Sequence, residues 1–262
     1  MAVRVSAIAD FRVVGEADGF VVVEKPAPLI VHPANDKVEP TLLGGLECLL
    51  AYEVANGAVL SIVTRLDRET SGLVLVAKHR EAARTLRRML DDGLVAKEYR
   101  AVVHGWPDWE RMTMDTPILR KGEVTPCAIW LRQCVHPAGK ASLTRFEVLR
   151  RVDTRAGRFS EVRCFPLTGR THQIRVHLEH AGHPVAGDKI YGSDGSAYLD
   201  FIRDGWTDDL AGRLPLPRHA LHASGLSLEW EGRTFAWESP LPRDCAELLT
   251  SSQVLRGDSC AG

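Results

Sequence analysis

The chain has 262 residues, 45% of them apolar, and a formal net charge of −1. This length allows one large domain or two small ones with a full hydrophobic core, and the chain lacks the strong basic excess that would argue directly for nucleic acid. No segment approaches the apolar length that spans a membrane, and the first residues lack the apolar run of a signal peptide. The sequence therefore predicts a cytoplasmic protein without a membrane partner.

In chain order, apolar runs between polar breaks predict a mixture of strands and helices in the first part of the chain. β-Branched residues dominate the predicted strands. A stripe of Ala and Leu opposite a row of arginines predicts an amphipathic helix. The predicted elements are strands at 20–24, 29–32, 72–77 and 96–104 and helices at 41–55 and 79–91.

The second part of the chain is predicted to be richer in strands. Thr168 or Thr171 can cap a helix that ends at Gly182, which places Arg170 in the first turn or just before it. A cation there opposes the helix dipole, so another interaction is expected to hold it. The other predicted elements are strands at 125–135, 142–152, 158–166, 220–230 and 233–238 and a closing helix at 241–249.

These elements do not alternate regularly between strand and helix, so a doubly wound parallel sheet is not expected. Neither an internal repeat nor a low-complexity linker divides the chain. We predict a single α+β domain over residues 1–251, with a mixed, mostly antiparallel sheet and flanking helices. Residues 252–262 are predicted to form a disordered tail.

A charged loop at 65–71 leads directly into the apolar strand predicted at 72–77. A carboxylate on a loop that is anchored to the core is a common way to present a catalytic group on a rigid base. The pattern alone is equally typical of a solvated turn in which Asp67 caps the backbone. Both interpretations of Asp67 stay open at this point.

Several classes of chemistry lack their sequence motifs. The chain has no Gly-x-x-x-x-Gly-Lys-Ser/Thr loop, no Gly-x-Gly-x-x-Gly turn and no Gly-x-Ser-x-Gly elbow, which argues against nucleotide cofactors, simple dehydrogenases and serine hydrolases. His177 and His180 would share a helix face, but no obvious further ligand completes a zinc site. The six cysteines lack two-residue spacing and are predicted to be reduced thiols. We therefore predict no metal site and no cofactor.

Six parts of the chain, in order, resemble the RluA-type pseudouridine synthases. The most specific are Arg65-Leu-Asp-Arg-Glu-Thr-Ser-Gly72 and Leu167-Thr-Gly-Arg-Thr-His-Gln-Ile-Arg175. The others are Lys25-Pro with Val31-His-Pro33, Lys97-Glu-Tyr-Arg-Ala101, Gly139-Lys-Ala-Ser-Leu-Thr144 with Phe146-Glu-Val-Leu149, and Leu221-His-Ala223. The resemblance covers residues 20 to 240, nearly the whole chain.

The resemblance implies an isomerase that detaches uracil from its ribose in RNA, rotates it and rejoins it through carbon 5, without a metal, nucleotide or redox cofactor. Asp67 would be the catalytic carboxylate, which attacks the sugar or takes a sugar proton. Arg170 would pair with Asp67 and hold it ionised, and Tyr99 would pack on the target base. Ile174 would line the pocket, and Arg65 would fill the gap left in the RNA when the uridine swings out.

Two positions depart from the family pattern: Thr64, where many relatives carry His, and Pro28, where relatives tend to have Gly. Neither is an implied catalytic residue, so they bear on target choice more than on activity. The predicted domain at 1–251 would be the catalytic domain, without the small basic N-terminal domain that many relatives carry. The expected partner is RNA, either tRNA or a short rRNA stem-loop, bound by a monomer.

Two other functions are open on the sequence. The first is a catalytically silent RNA-binding protein on the same fold, against which the intact set of Asp67, Tyr99 and Arg170 argues. The second is a metal-dependent hydrolase that uses the histidines, which a metal analysis of the purified protein would test. The arginine-rich segments at 80–88 and 145–175 would bind RNA phosphates, or they would equally form ordinary solvated surface.

Overall fold

The secondary structure comes from a computed structural model that describes residues 10–32, 40–192 and 194–250. Its strands are β1 (Arg12–Glu16), β2 (Phe20–Lys25), β3 (Ser61–Ile62), β4 (Ser71–Ala77), β5 (Val95–His104), β6 (Arg111–Asp115), β7 (Ile118–Arg120), β8 (Gln133–Val135), β9 (Leu143–Thr154), β10 (Gly157–Pro166), β11 (Leu221–Trp230) and β12 (Arg233–Glu238). Its α-helices are α1 (Leu42–Leu49), α2 (Ala51–Ala55), α3 (Arg80–Asp91), α4 (Gln173–His180), α5 (Ser196–Asp204), α6 (Asp208–Arg213) and α7 (Arg243–Glu247).

A ten-stranded sheet organises the domain, and its main path follows the order β1-β2-β4-β11-β5-β10-β9-β6. Strand β3 pairs with β4 and strand β12 with β11 beside this path, whereas β7 and β8 form a separate two-stranded sheet. The pair β4–β11 is parallel, and the other described pairs of the large sheet are antiparallel. The predicted α+β class with a mixed, mostly antiparallel sheet is therefore confirmed.

Strand β4 lies inside the sheet, and all seven of its residues are buried. Val74 and Val76 pack into an apolar cluster with residues of helix α1. Leu73 and Leu75 pack into a second cluster with residues of helix α3. A strand covered on both faces has a continuous apolar sequence instead of an alternating one. The loop that carries Asp67 is thus attached directly to a fully buried strand.

The amphipathic helix and the predicted hairpins form close to their expected positions. Helix α3 begins after His79, whose side chain accepts a hydrogen bond from the Ala82 N–H at 3.2 Å. Strands β9 and β10 form one hairpin, and β11 and β12 form the last one. The helix predicted at 41–55 is divided into α1 and α2 at Leu50.

Two predicted strands are much shorter in the structure. The strand predicted at 125–135 exists only as β8, because Pro126 has no N–H to give to a ladder and residues 121–132 turn instead. The strand predicted at 29–32 is reduced to one bridge, between Ile30 and Thr41.

Among the helices that the structure describes, none has both the length and the apolar character needed to cross a membrane. The predicted tail at 252–262 lies outside the described residues. The domain bounds 1–251 therefore stay a prediction.

Gly72, the second residue of β4, lies in a conformation and a space that only glycine fits. Its φ is +111°, and a Cβ atom there would lie 2.2 Å from the carbonyl oxygen of Ala223 in β11. We expect Gly72→Ala to lower the free energy of unfolding by at least about 2 kcal/mol, because the backbone is strained and the parallel pair is pushed apart. Urea unfolding followed by circular dichroism measures the loss.

Gly57→Ala is the matched control for this substitution. Gly57 has a similar φ of +96°, but a Cβ atom there would meet nothing within 4 Å. This variant should lose only about 1 kcal/mol, from the backbone conformation alone. Equal losses in the two variants would contradict the close approach of β4 and β11 as the cause.

Candidate active site

A cleft of about 700 Å³ opens beside the loop of Asp67, between strand β5 and the turn that precedes helix α4. The Asp67 side chain is 30% exposed, so its carboxylate is accessible from the cleft. The loop is held to the core by the buried residues Leu66 and Thr70. All five residues selected from the sequence contribute to the lining of this cleft: Arg65, Asp67, Tyr99, Arg170 and Ile174.

The ion-pair partner of Asp67 is Arg175, in the first turn of helix α4. Its Nη1 donates to the Asp67 Oδ2 at 2.8 Å. The rest of the guanidinium is fixed by Asp188, which accepts from Nε at 2.6 Å and from Nη2 at 2.9 Å. Asp188 is itself oriented by the backbone N–H groups of Ile190 and Tyr191. Because both carboxylates bind one guanidinium, the position of Asp67 is set by a buried network.

The predicted pair between Arg170 and Asp67 is wrong. Arg170 is exposed on the rim of the cleft, where its Nε donates to the carbonyl oxygen of Ala141 at 3.0 Å. The discrepancy arises from the start of the helix, which lies at Gln173 and not at Thr168 or Thr171. Arg170 therefore belongs to the preceding turn.

The side chain of Gln173 holds this turn in place of a capping threonine. Its Oε1 accepts from the Thr168 hydroxyl at 2.7 Å and from the Arg170 N–H at 3.0 Å. Its Nε2 donates to the Leu143 carbonyl oxygen and to the Thr144 hydroxyl oxygen. All four bonds of this buried amide are thus used to fix the rim of the cleft to strand β9.

Charges around Asp67 keep it ionised. Burial tends to raise the pKa of Asp67, but the positive charges of His172, Arg175 and Lys25 outweigh it, and the pKa falls below its ordinary value. His172 contributes only in the acid range, because burial lowers its own pKa to about 4. At neutral pH the carboxylate is therefore an anion beside Arg175 and a neutral imidazole.

His172 faces Asp67 and is oriented from behind by Tyr191. Its Nε2 lies 4.0 Å from the Asp67 Oδ2, and its Nδ1 lies 2.9 Å from the Tyr191 hydroxyl. That hydroxyl accepts a hydrogen bond from the Gln133 N–H at 3.0 Å. We therefore assign the Tyr191 hydroxyl as the donor to the His172 Nδ1. This assignment leaves the His172 N–H on Nε2, directed at the carboxylate.

Tyr99 and Ile174 supply the apolar surface of the cleft. Tyr99 lies on strand β5 and packs against the core cluster that contains Ala223. Burial and the charge of Asp67 raise the pKa of Tyr99, so its phenol stays protonated at neutral pH. Ile174 is 6% exposed at the start of helix α4, and Arg65 lies exposed on the loop. The catalytic and binding roles assigned to these residues stay predictions.

Lys25 lies underneath the loop of Asp67 and was not selected from the sequence. It is fully buried, and its Nζ donates to the carbonyl oxygens of Pro26, Leu29 and Arg68. Burial lowers its pKa to about 7, although Asp67 acts in the opposite direction. A lysine at the end of an apolar strand, directly before a proline, was the sequence signal for a buried cation.

The depressed pKa of Lys25 predicts a dependence of stability on pH. The ammonium loses its proton near pH 7 in the folded protein and near pH 10.5 in the unfolded chain, so unfolding takes up a proton between these values. The free energy of unfolding should therefore rise with pH in this window and fall as the pH returns to 7, by up to about 1.4 kcal/mol per pH unit.

The measurement compares wild type with Lys25→Met by urea unfolding at pH 7.5 and pH 9. The difference between the two proteins isolates Lys25 from other titrating groups. We expect the free energy of unfolding of wild type, relative to that of Lys25→Met, to be about 1–2 kcal/mol higher at pH 9 than at pH 7.5. A difference that is independent of pH would show that Lys25 titrates normally.

Two further functional candidates, Arg175 and Asp188, were also missed by the sequence analysis. The sequence signal for them is that Arg175 interrupts the apolar side of a helix. A buried cation requires a partner, and Asp188 supplies it after the turn at Gly187. No three His, Cys, Asp or Glu residues among residues 10–32, 40–192 and 194–250 are grouped so that they could hold a metal ion.

The fold of this chain is that of solved pseudouridine synthase domains. Human RNA pseudouridylate synthase domain containing 1 is 26% identical, with a TM-score of 0.66 over 89% of this chain and 84% of that one. Human RNA pseudouridylate synthase domain containing 4 is 23% identical, with a TM-score of 0.69 over 91% and 92% of the two chains. The second likeness concerns the fold alone.

The sequence places the chain in a family. The model of the RNA pseudouridylate synthase family matches residues 19–180, so the chain belongs to that family. Ribosomal large subunit pseudouridine synthase D of Nitrosomonas europaea is 38% identical over 246 residues, which cover 93% of this chain and 66% of the relative. The synthase of the same name from Pseudomonas aeruginosa is 36% identical over 258 residues, 95% of this chain and 73% of the relative. The chain thus spans about two thirds of the length of the first of these relatives.

Proposed function

We propose that the protein is an RNA pseudouridine synthase that converts a uridine of large-subunit ribosomal RNA to pseudouridine. The observation that carries the proposal is the ionised Asp67, fixed by Arg175 in a cleft that also contains Tyr99. Family membership supports the reaction, and the names of the bacterial relatives support the ribosomal substrate. The action of this chain on tRNA is the alternative that the experiment below tests.

The proposed reaction is an isomerisation, so it needs neither an oxidant nor a second substrate. The bond between ribose C1′ and uracil N1 breaks, the base rotates, and a bond forms between C1′ and C5. N1 gains a proton and C5 loses one, so atoms and electrons balance. The Asp67 anion would attack the sugar or take a sugar proton, and both steps require the ionised carboxylate that its neighbours maintain.

The target uridine has to leave its stacked position to reach Asp67. Extrusion of a nucleotide costs a few kcal/mol and least in a loop. In the proposed complex the uracil packs on Tyr99 and Ile174, and the exposed Arg65 takes the space that the uridine vacates. Arg170, on the rim, contacts the RNA backbone and not Asp67.

Arginines outside the cleft would supply the remaining phosphate contacts. Arg68 is exposed on the same loop as Arg65, and Arg84 and Arg88 are exposed on helix α3. Such contacts release counterions, so binding should weaken as salt rises. The proposed enzyme acts as a monomer in the cytoplasm.

The test uses RNA labelled with tritium at uracil C5. Transcribed fragments of large-subunit rRNA and transcribed tRNAs are incubated separately with the protein, and tritium released to water is counted. We expect release from an rRNA fragment and none above background with Asp67→Ala. Release from tRNA alone would overturn the ribosomal substrate. RNA binding without release from any RNA would identify a catalytically silent RNA-binding protein.

A further inference from the structure

A second cleft adjoins the one that contains Asp67. Its volume is about 580 Å³, within the range of small-ligand sites. It lies between the end of helix α3 and the strands β5, β6, β9 and β10. The two clefts share Leu90, Lys97 and Pro166 in their linings. A chain that enters one cleft can therefore continue into the other without leaving the protein surface.

The lining of this adjoining cleft has an apolar part and a positive excess. Phe165 is half-buried in it, and aromatic side chains stack unpaired bases without regard to sequence. The lining contains one carboxylate, that of Glu147, and three cationic side chains, those of Lys97, Arg111 and Arg145. Arg111 binds Glu147 at 3.0 Å, which leaves two positive charges uncompensated within the lining. This charge fits a phosphodiester and disfavours an acidic or purely apolar occupant.

Lys97 is the cation at the junction of the two clefts. It precedes Tyr99 by two residues on strand β5 and is half-buried. Burial lowers its pKa, and no hydrogen bond or ion pair of its ammonium is present among the described residues. An ammonium that is partly removed from water and has no protein partner is stabilised by an anion that enters the cleft.

We infer that the adjoining cleft binds the nucleotide next to the target uridine, with Lys97 contacting the phosphate that joins the two. The inference rests on the proposed function for its ligand, since it names RNA as the occupant. The uridine enters the cleft of Asp67, its neighbour stacks on Phe165, and the phosphate between them passes Lys97. Single-stranded or loop RNA is required, because paired bases cannot separate in this way without a further cost.

Binding tests this inference independently of turnover. The probe is a fluorescein-labelled nine-nucleotide RNA with one central uridine, and fluorescence anisotropy is recorded from 50 to 300 mM KCl. Lys97→Met is expected to weaken binding about tenfold at low salt and to reduce the slope of log affinity against log salt by about 0.7. Lys97→Arg keeps the charge and should keep the wild-type slope.

Lys78→Met is the matched control for the lysine. Lys78 follows the end of β4 that lies away from Asp67 and pairs with Glu16 at 2.8 Å. The Lys78→Met substitution should leave both the affinity for the RNA probe and the slope of log affinity against log salt unchanged. If Lys97→Met behaves as Lys78→Met does, or if Lys97→Arg loses as much slope as Lys97→Met, the phosphate contact is wrong.

A second comparison tests the base-binding cleft. Thr113 is exposed in its lining, so Thr113→Trp should fill the cleft while Thr113→Val does not. The affinity of wild type for the RNA should fall about tenfold when the nucleotide on one side of the uridine is made abasic. The affinity of Thr113→Trp should be the same for the intact and the abasic RNA. Additive losses would overturn the subsite. If the inference fails while tritium is still released from rRNA, the proposed function stands without it.

Discussion

Replacement of Asp67 by asparagine is expected to reduce tritium release by at least about a thousandfold, since a carboxylate that acts as nucleophile or base has no substitute in the cleft. The amide has the same shape and can still accept from Arg175, whose charge remains balanced by Asp188. The free energy of unfolding should therefore fall by less than about 2 kcal/mol. Tritium release and urea unfolding measured on the same preparation separate the two effects.

Asp204→Asn provides the control for the loss of an aspartate. Asp204 lies at the end of helix α5 with 47% of its side chain exposed, and its removal should leave tritium release at the wild-type level. RNA binding by Asp67→Asn should persist, because the exposed arginines are untouched. Tritium release by Asp67→Asn at more than a tenth of the wild-type rate would remove Asp67 from the chemistry.

The second large effect is expected at Arg175. Arg175→Gln leaves Asp188, whose side chain is fully buried, as a carboxylate without its bidentate cation, and should lower the free energy of unfolding by about 3–5 kcal/mol. It also removes the cation that keeps Asp67 ionised and oriented, so tritium release should be lost. Arg175→Lys restores a charge but not the planar fork, and should recover stability only in part.

Arg170→Gln separates the two arginines of the same motif. Arg170 is exposed and bonded to a backbone carbonyl, so the free energy of unfolding should change by less than about 0.5 kcal/mol. Arg170→Gln should weaken RNA binding and leave the maximal rate of tritium release unchanged. An equal loss of stability in Arg170→Gln and Arg175→Gln would contradict the assignment of Arg175 as the partner of Asp67.

The sequence was sufficient for elements whose local pattern agrees with their environment. The amphipathic stripe of helix α3 and the glycine turn between β9 and β10 depend on neighbours in the chain, and both form where they were predicted. The strand predicted at 125–135 forms only as β8, because Pro126 cannot donate to a ladder. The predicted partnership of Arg170 with Asp67 is wrong because helix α4 begins at Gln173, whose side chain fixes the preceding turn.

The sequence could nominate site residues only where a motif resembles the family. The charged loop before a buried strand left two interpretations of Asp67 open, and the resemblance of its motif favoured the catalytic one, as it did for Tyr99. The partnership of Asp67 with Arg175 joins residues 108 positions apart, and no local pattern encodes it. The same holds for Lys25, whose contact with the Arg68 carbonyl oxygen spans 43 positions.

The parallel pairing of β4 with β11 has a consequence for the order in which the protein is made. Ser71, directly after the loop of Asp67, bonds to His222 across a separation of 151 residues, and Thr70 bonds to His219 at 2.7 Å. A nascent chain on the ribosome lacks this support until β11 has emerged from the exit tunnel, although the loop itself was synthesised long before. Contacts of such sequence separation form late in folding. The loop of Asp67 should therefore acquire its protease resistance only when synthesis of the domain is nearly complete.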